Sequence, residues 1–445
     1  MSLSARLRNR YYGLLLGAGA ESLRRRLTES RRRLTRKPHV VSAFLALDDP
    51  YSYLLGVYLA NLRDAYDVEL RYYLTQPCGG DYRTHPDLLA LYAERDCECV
   101  AHELGVPFLD RGGAPPVELR RALVETLAEI QDRPEFGDEL LRCLAQYWRG
   151  DGEAVSRRCE GTRAGEAGAA LLASNQRRLL RMGHYNTATL HYAGEWYWGV
   201  DRLPYLTARL DALATSRQPS ADARLASIRQ VMHATLPVAR PAAAGALPPL
   251  EFFHSFRSPY SYLAAGRVFE IADAFGLRLN IRPVLPAAAG DTRLPRSKLA
   301  YIAQDAAREA RRLGVGFGRI RIPSTVGIER CMAVFHYAVG EKRERDFIRH
   351  AGEAVFARGI DLATDKGMRK VTARTGLFWP EAVAAMRDDA WRDSVEANRE
   401  ALIETGCWGV PTLRIGDFTV WGQDRTWLMA RHIEDLCESG EGILI

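Results

Sequence analysis

The sequence predicts an α/β protein of two similar domains, each with a helical block inserted into a small sheet. Three observations carry this. Pro50-Tyr51-Ser52-Tyr53-Leu54 recurs as Pro259-Tyr260-Ser261-Tyr262-Leu263, and Trp198-Gly199-Val200-Asp201-Arg202 recurs as Trp421-Gly422-Gln423-Asp424-Arg425. Pro50/Pro259, Asp64/Asp273, Pro77/Pro286, Pro86/Pro295, Tyr92/Tyr301, Asp96/Asp305 and Gly105/Gly314 keep a constant spacing of 209, and several of these are the Pro and Gly that punctuate a fold. Finally, 445 residues are too many for one ordinary core and suit two of about 170 to 190. At Thr189/Thr412 the spacing has become 223, so the second copy holds a net insertion of 14 residues.

Each copy opens on a strand-like apolar run, 40–47 and 250–256, followed by a proline-started helix to about Tyr66 or Phe275. A second strand, 68–74 or 277–285, completes a βαβ unit. Patterns rich in Ala, Leu, Arg and Glu predict helices across 87–180 and 298–404. Two short strands and a last helix close each copy, with the strands at 189–192 and 195–198, and again at 412–415 and 418–420. This order describes a thioredoxin-like fold with an inserted helical subdomain. The expected boundaries are a basic arm at 1–37, a first domain at 38–215, a helix and Pro/Ala-rich linker at 216–249, and a second domain at 250–445.

An apolar fraction of 47% and a charged fraction of 26% are those of a soluble globular protein. No apolar run approaches the roughly 18 residues of a membrane span, so no integral membrane segment is expected. The eight cysteines include no C-x-x-C and fall at unrelated positions in the two copies, which argues for a reducing, cytoplasmic setting. The net charge of +6 is carried mostly by arginine, much of it in the first 40 residues. There Arg24-Arg25-Arg26 and Arg31-Arg32-Arg33, with Leu23, Leu27 and Leu34, read either as a basic helix for phosphate or anionic lipid or as a solvated, frayed arm. Arg6, Arg8 and Arg10 before 11–20 imitate a signal peptide, but the apolar stretch is short, glycine-interrupted and followed directly by arginines.

Ser258-Pro259-Tyr260-Ser261 lies where a strand hands over to a helix, so Pro259 suits the first helical position and Ser258 the N-cap. Gly409-Val410-Pro411-Thr412 enters a strand, and Trp421-Gly422-Gln423-Asp424-Arg425 precedes the last helix. Asp424 and Arg425 read equally as ligand contacts or an internal ion pair, and Lys298 as a contact or a surface lysine. Cys97, Cys99 and His102 do not converge on one helix face, so no metal is expected. Phosphate loops, His-Glu-x-x-His and nucleophile elbows are missing, and no nucleic-acid partner is expected.

On these motifs the second half, about 250–434, resembles the DsbA-like branch of the thioredoxin superfamily, within it the 2-hydroxychromene-2-carboxylate isomerases and kappa-class glutathione transferases. The resemblance reappears, degraded, over 40–210. Ser258 and Ser261 replace the family's two cysteines, which removes dithiol-disulfide exchange through this motif. The resemblance implies glutathione as cofactor, with Ser258 facing its thiol at the helix N-terminus. It implies a cis Val410–Pro411 bond that lets Val410 pair with the cysteinyl backbone, Gln423, Asp424 and Arg425 at the γ-glutamyl end, and Lys298 near the glycyl carboxylate. The asparagine that the family places near this end has no counterpart in 287–293. Tyr260 and Trp408, with Trp421, would form an apolar cleft for a small-molecule substrate. The implied activity is glutathione-dependent cis-trans isomerisation of an unsaturated aromatic-degradation product. The alternatives are a kappa-like glutathione transferase and a non-catalytic tandem binding module. In the first copy Asp49, Ala188 and Leu89 stand where Ser258, Pro411 and Lys298 stand in the second, so that copy is expected to keep the fold without the glutathione site. The two halves are expected to be able to pair as an intrachain pseudo-dimer.

Overall fold

Two four-stranded sheets with the same strand order organise the chain. The computed structural model describes residues 16–109, 117–162, 165–217, 223–234, 247–285 and 294–439. Most of the Pro/Ala-rich stretch 237–249 within the expected 216–249 segment, the signal-like stretch up to residue 15 and the segment 287–293 lie outside the described residues.

In the first copy β1 (Val40–Leu45) is parallel to β2 (Glu69–Leu74) and antiparallel to β3 (Thr189–Tyr192), which pairs with β4 (Glu195–Trp198) in the order β2-β1-β3-β4. All but the first residue of β1 are buried, because a central strand covered on both faces has no solvent side to alternate with. Helix α2 (Pro50–Ala65) makes the crossover between β1 and β2. The second copy repeats this as β5 (Leu250–His254), α10 (Pro259–Ala274), β6 (Leu279–Pro283), β7 (Thr412–Ile415) and β8 (Phe418–Trp421), in the order β6-β5-β7-β8. Each copy is therefore a thioredoxin-like βαβ unit with a closing ββα.

The inserted block of the first copy breaks into α3 (Pro86–Glu103), α4 (Val117–Glu129), α5 (Phe136–Trp148), α6 (Gly152–Cys159) and α7 (Ala167–Arg181), with α8 (Leu203–Asp211) and α9 (Ala223–Met232) after the sheet. In the second copy it comprises α11 (Arg296–Arg312), α12 (Thr325–Gly340), α13 (Glu344–Gly352), α14 (Asp365–Thr375), α15 (Trp379–Ala385) and α16 (Trp391–Glu404), and α17 (Thr426–Ser439) closes the chain. Between the matching glycines and β3 or β7, the second copy has five helices where the described residues of the first have four, which is where the longer spacing goes.

Polar fixtures repeat as well. Tyr51 Oη donates to Asp96 at 2.7 Å, and Tyr260 Oη to Asp305 at 2.9 Å. The buried Ser52 and Ser261 hydroxyls accept from the Ala46 and Ser255 N–H groups at 3.0 and 3.4 Å. The chain divides into two compact units: Arg24–Ala234 with Leu294–Tyr301, and the described parts of Met1–Leu23, Thr235–Arg293 and Ile302–Ile445. The first turns of α11 thus belong to the unit of the first copy.

Within the described part of the basic arm, residues 18–34 form a regular helix, α1 (Ala18–Leu34). Arg25 holds both oxygens of Glu195 at 2.7 and 2.8 Å, and Arg209, its side chain 6% exposed, reaches the same carboxylate at 3.1 Å. Glu195→Ala is expected to cost about 3 kcal/mol because it strands the buried Arg209. Arg25→Ala, removing only the outer partner, should cost about 1 kcal/mol or less. Urea denaturation of both variants checks the difference.

Candidate active site

The start of α10 is built by local chemistry. Ser258 has extended backbone angles (φ −89°, ψ 116°) and accepts the Ser261 N–H at 3.1 Å, while Pro259 fills the first helical position. Three polar or aromatic residues here, Arg257, Ser258 and Tyr260, are only half-buried. The Ser258 hydroxyl donates to the Val410 carbonyl at 3.3 Å, a long bond that joins this helix start to the strand β7 entry. Behind it Tyr260 is held by Asp305, itself 1% exposed and 3.5 Å from Arg308.

The Val410–Pro411 peptide bond is the cis bond among the described residues, and the matching Thr187–Ala188 bond is trans. The Pro411 carbonyl accepts the Gly422 N–H at 2.9 Å, which fixes the β8 end against the proline. Two glycines are obligatory in this neighbourhood. A Cβ on Gly409 would lie 2.4 Å from the Trp421 ring, and Gly422 has φ 115° with Asp424 Oδ1 2.5 Å from where its Cβ would be. Trp408 and Trp421 meet at 4.9 Å between ring centroids, tilted by 56°, and form one aromatic wall.

The turn before α17 is anchored from beneath. Gln423 is 1% exposed; its Nε2 donates to Glu309 at 3.1 Å, and both its side-chain and backbone oxygens accept from Arg267 at 2.5 Å. Glu309 also receives Arg312 at 2.9 Å. Arg425, 4% exposed, donates to the Asp424 carbonyl at 3.3 Å, while the Asp424 side chain is half-buried. Arg267 and Glu309 were not singled out from the sequence. A signal for them exists: the first copy has Tyr58, Val100 and Val200 where the second has Arg267, Glu309 and Gln423, so a polar trio replaces a buried apolar one as a set.

The first copy closes the corresponding position on itself. Asp49 caps α2 and accepts from the Tyr51 N–H at 3.1 Å, Ser52 Oγ at 3.0 Å and Thr187 Oγ1 at 2.5 Å. It is 6% exposed, and burial raises its pKa against the pull of the Thr187 and Ser52 hydroxyls. Ala188, fully buried, takes φ 54°, a left-handed conformation costly for a residue with a Cβ. Its carbonyl still accepts the Gly199 N–H at 2.8 Å, so the strand pairing survives the lost proline.

Ser258, Tyr260, Trp408, Val410, Pro411, Gln423, Asp424 and Arg425 all belong to the unit of the second copy. Lys298 does not. Its ammonium donates to the Tyr82 carbonyl at 2.8 Å and lies 5.7 Å from the Tyr185 ring centre, and burial lowers its pKa.

Residues 249–434 match the family model of the DSBA-like thioredoxin domain. The 2-hydroxychromene-2-carboxylate isomerase of Pseudomonas putida is 26% identical over 198 residues, covering 42% of this chain and 95% of that enzyme. That of Sphingobium xenophagum is 24% identical over 194 residues, covering 42% of this chain and 98% of the enzyme. A solved structure of 2-hydroxychromene-2-carboxylate isomerase, 24% identical, covers 44% of this chain and 99% of its own, with a TM-score of 0.39. The second copy of the repeat is thus a DsbA-like thioredoxin domain with 2-hydroxychromene-2-carboxylate isomerases among its homologues.

Proposed function

We propose that the second copy is a glutathione-dependent cis-trans isomerase of the 2-hydroxychromene-2-carboxylate isomerase type, acting on an unsaturated, carboxylated product of aromatic breakdown. The observation that carries this reading is Ser258. Its hydroxyl is half-buried at the positive end of a 16-residue helix, and its one proton is committed only to the 3.3 Å bond to Val410. A thiolate is a stronger acceptor than that carbonyl, so the donor set fits the thiol of glutathione.

When bound, glutathione would supply a thiolate nucleophile for reversible addition to a conjugated double bond, which permits cis-trans isomerisation without consuming glutathione. Ser258 would donate to the sulfur and, with the helix N-terminus, keep it ionised. The Val410 backbone would pair with the cysteinyl unit as an added strand does. Asp424, half-buried at the turn, would meet the γ-glutamyl amino group, with Gln423 and Arg425 holding that turn in place. Tyr260 and the Trp408 wall would carry the apolar body of the substrate.

Calorimetric titration of the full chain with glutathione tests this. One site per chain is expected, because Asp49 fills the first copy's position with a carboxyl group already bonded to Thr187 and Ser52. Asp49→Ser alone should leave the count at one, since Ala188 keeps its left-handed backbone. Two equivalent sites, or none, would overturn the reading. Turnover of 2-hydroxychromene-2-carboxylate without net loss of glutathione separates isomerisation from conjugation.

A further inference from the structure

Helix α1 presents its leucines and its charges in the reverse of the order a packed helix uses. Leu23, Leu27 and Leu34 share one stripe at helical spacing, bordered by Arg24 and Arg31 on one side and by Arg26 and Arg33 on the other. The three leucines are 58%, 63% and 85% exposed, and no residue of this helix is buried. Its acidic residues face away from the stripe: Glu29 binds Arg32 and Arg33, and Glu21 pairs with Arg311. Arg25 on that same side pairs with Glu195. The helix therefore docks through ion pairs and leaves its apolar stripe in water.

We propose that this face of α1 docks on an anionic lipid surface, with the leucines entering the acyl boundary and the bordering arginines meeting lipid phosphates. Charge complementarity selects this occupant. Arg26 and Arg31 border the stripe on opposite sides, next to Arg24 and to Arg33, which Glu29 binds; no carboxylate lies on the stripe, and the exposed Arg36 and Lys37 extend the same sign. A nucleic acid would engage the arginines but offer the central leucines nothing apolar. A second copy of the chain would bring arginines against arginines. Among the described residues no helix is long and apolar enough to cross a membrane.

Co-sedimentation of the full chain with vesicles tests the proposal, using phosphatidylcholine alone and phosphatidylcholine with about one third phosphatidylglycerol. Binding is expected on the anionic vesicles, weakening as salt rises. Neutralising Arg26→Gln and Arg31→Gln should lower it about fivefold each. Leu23→Ser, Leu27→Ser and Leu34→Ser together should lower it by about a hundredfold or more, with the thermal unfolding midpoint unchanged because these side chains are exposed. Equal binding to both vesicle types, absence of binding, retention of binding by the leucine variant, or stronger retention on duplex DNA than on anionic vesicles would overturn it.

Discussion

Ser258→Ala is expected to slow the proposed isomerisation by about ten- to a hundredfold while lowering stability by only about 0.5 to 2 kcal/mol. Both effects come from one oxygen. As an acceptor it caps α10 through the Ser261 N–H at 3.1 Å, and losing a cap costs no more than that stability range. As a donor it has only the 3.3 Å bond to Val410, and in the proposed complex that proton turns to a thiolate. A hydrogen bond to a charged acceptor contributes about 1.5 to 3 kcal/mol, which corresponds to a thiol pKa about one to two units higher once it is gone. Titrating the absorbance of enzyme-bound thiolate in parent and variant separates the two roles. If the bound thiol titrates alike in both, Ser258 is a cap and nothing more, and Ser258→Thr should then recover the capping stability but titrate its bound thiol as the alanine variant does.

Acidification from neutral to about pH 5 is expected to cost about 6 kcal/mol of folding stability, about 2 from each of His184, His191 and His254 and more than any single substitution considered above. His184 is fully buried, stacked 4.7 Å from Trp196 and edge-on to Tyr301 at 4.5 Å, and among the described residues neither ring nitrogen has a hydrogen-bond partner. His254 lies between Phe252 and Phe256 with Nδ1 unpartnered. Burial pushes each down to about 3 from an ordinary 6.5. Above the ordinary value both are neutral in the folded and unfolded chain and cost nothing. Between it and about 3 only the unfolded chain takes up the proton, so stability falls with pH by about 1.4 kcal/mol per unit for each ring. Asp49 works the other way near its ordinary range, because a raised pKa makes the folded state bind the proton first. Urea denaturation at the two pH values gives the slope. His191, which burial pushes down to about 4, contributes to the same slope, so His184→Phe should remove about a third of it, and an unchanged slope would mean that this ring already finds a proton partner in solution.

Features read from nearest neighbours were legible before any coordinates. The strands at 189–192 and 195–198 run where expected, since a short alternating run and its turn glycine are local signals. The caps at Asp49 and Ser258 followed from a polar residue before a proline. The interiors of the two helical blocks were not legible: one continuous helical pattern over 87–180 becomes α3 to α7, because breaks in an Ala- and Arg-rich run depend on what each face packs against.

By itself the sequence determined that there are two copies of one fold and that their helix starts carry different chemistry, Ser258 in one and Asp49 in the other. Tertiary structure alone decided where the polar side chains spend their hydrogen bonds. Gln423 is held by Arg267 and Glu309, which lie 156 and 114 residues away in the chain, and Lys298 is drawn to Tyr82, 216 residues distant. The leucine stripe of α1 could be drawn from its spacing, but which face meets water was set by Glu195, 170 residues further on. The physical reason is the same in each case. Helical and strand periods are written in adjacent residues, whereas a buried amide, ammonium or guanidinium takes the partner that folding brings within reach, and that partner leaves no mark near it in the sequence.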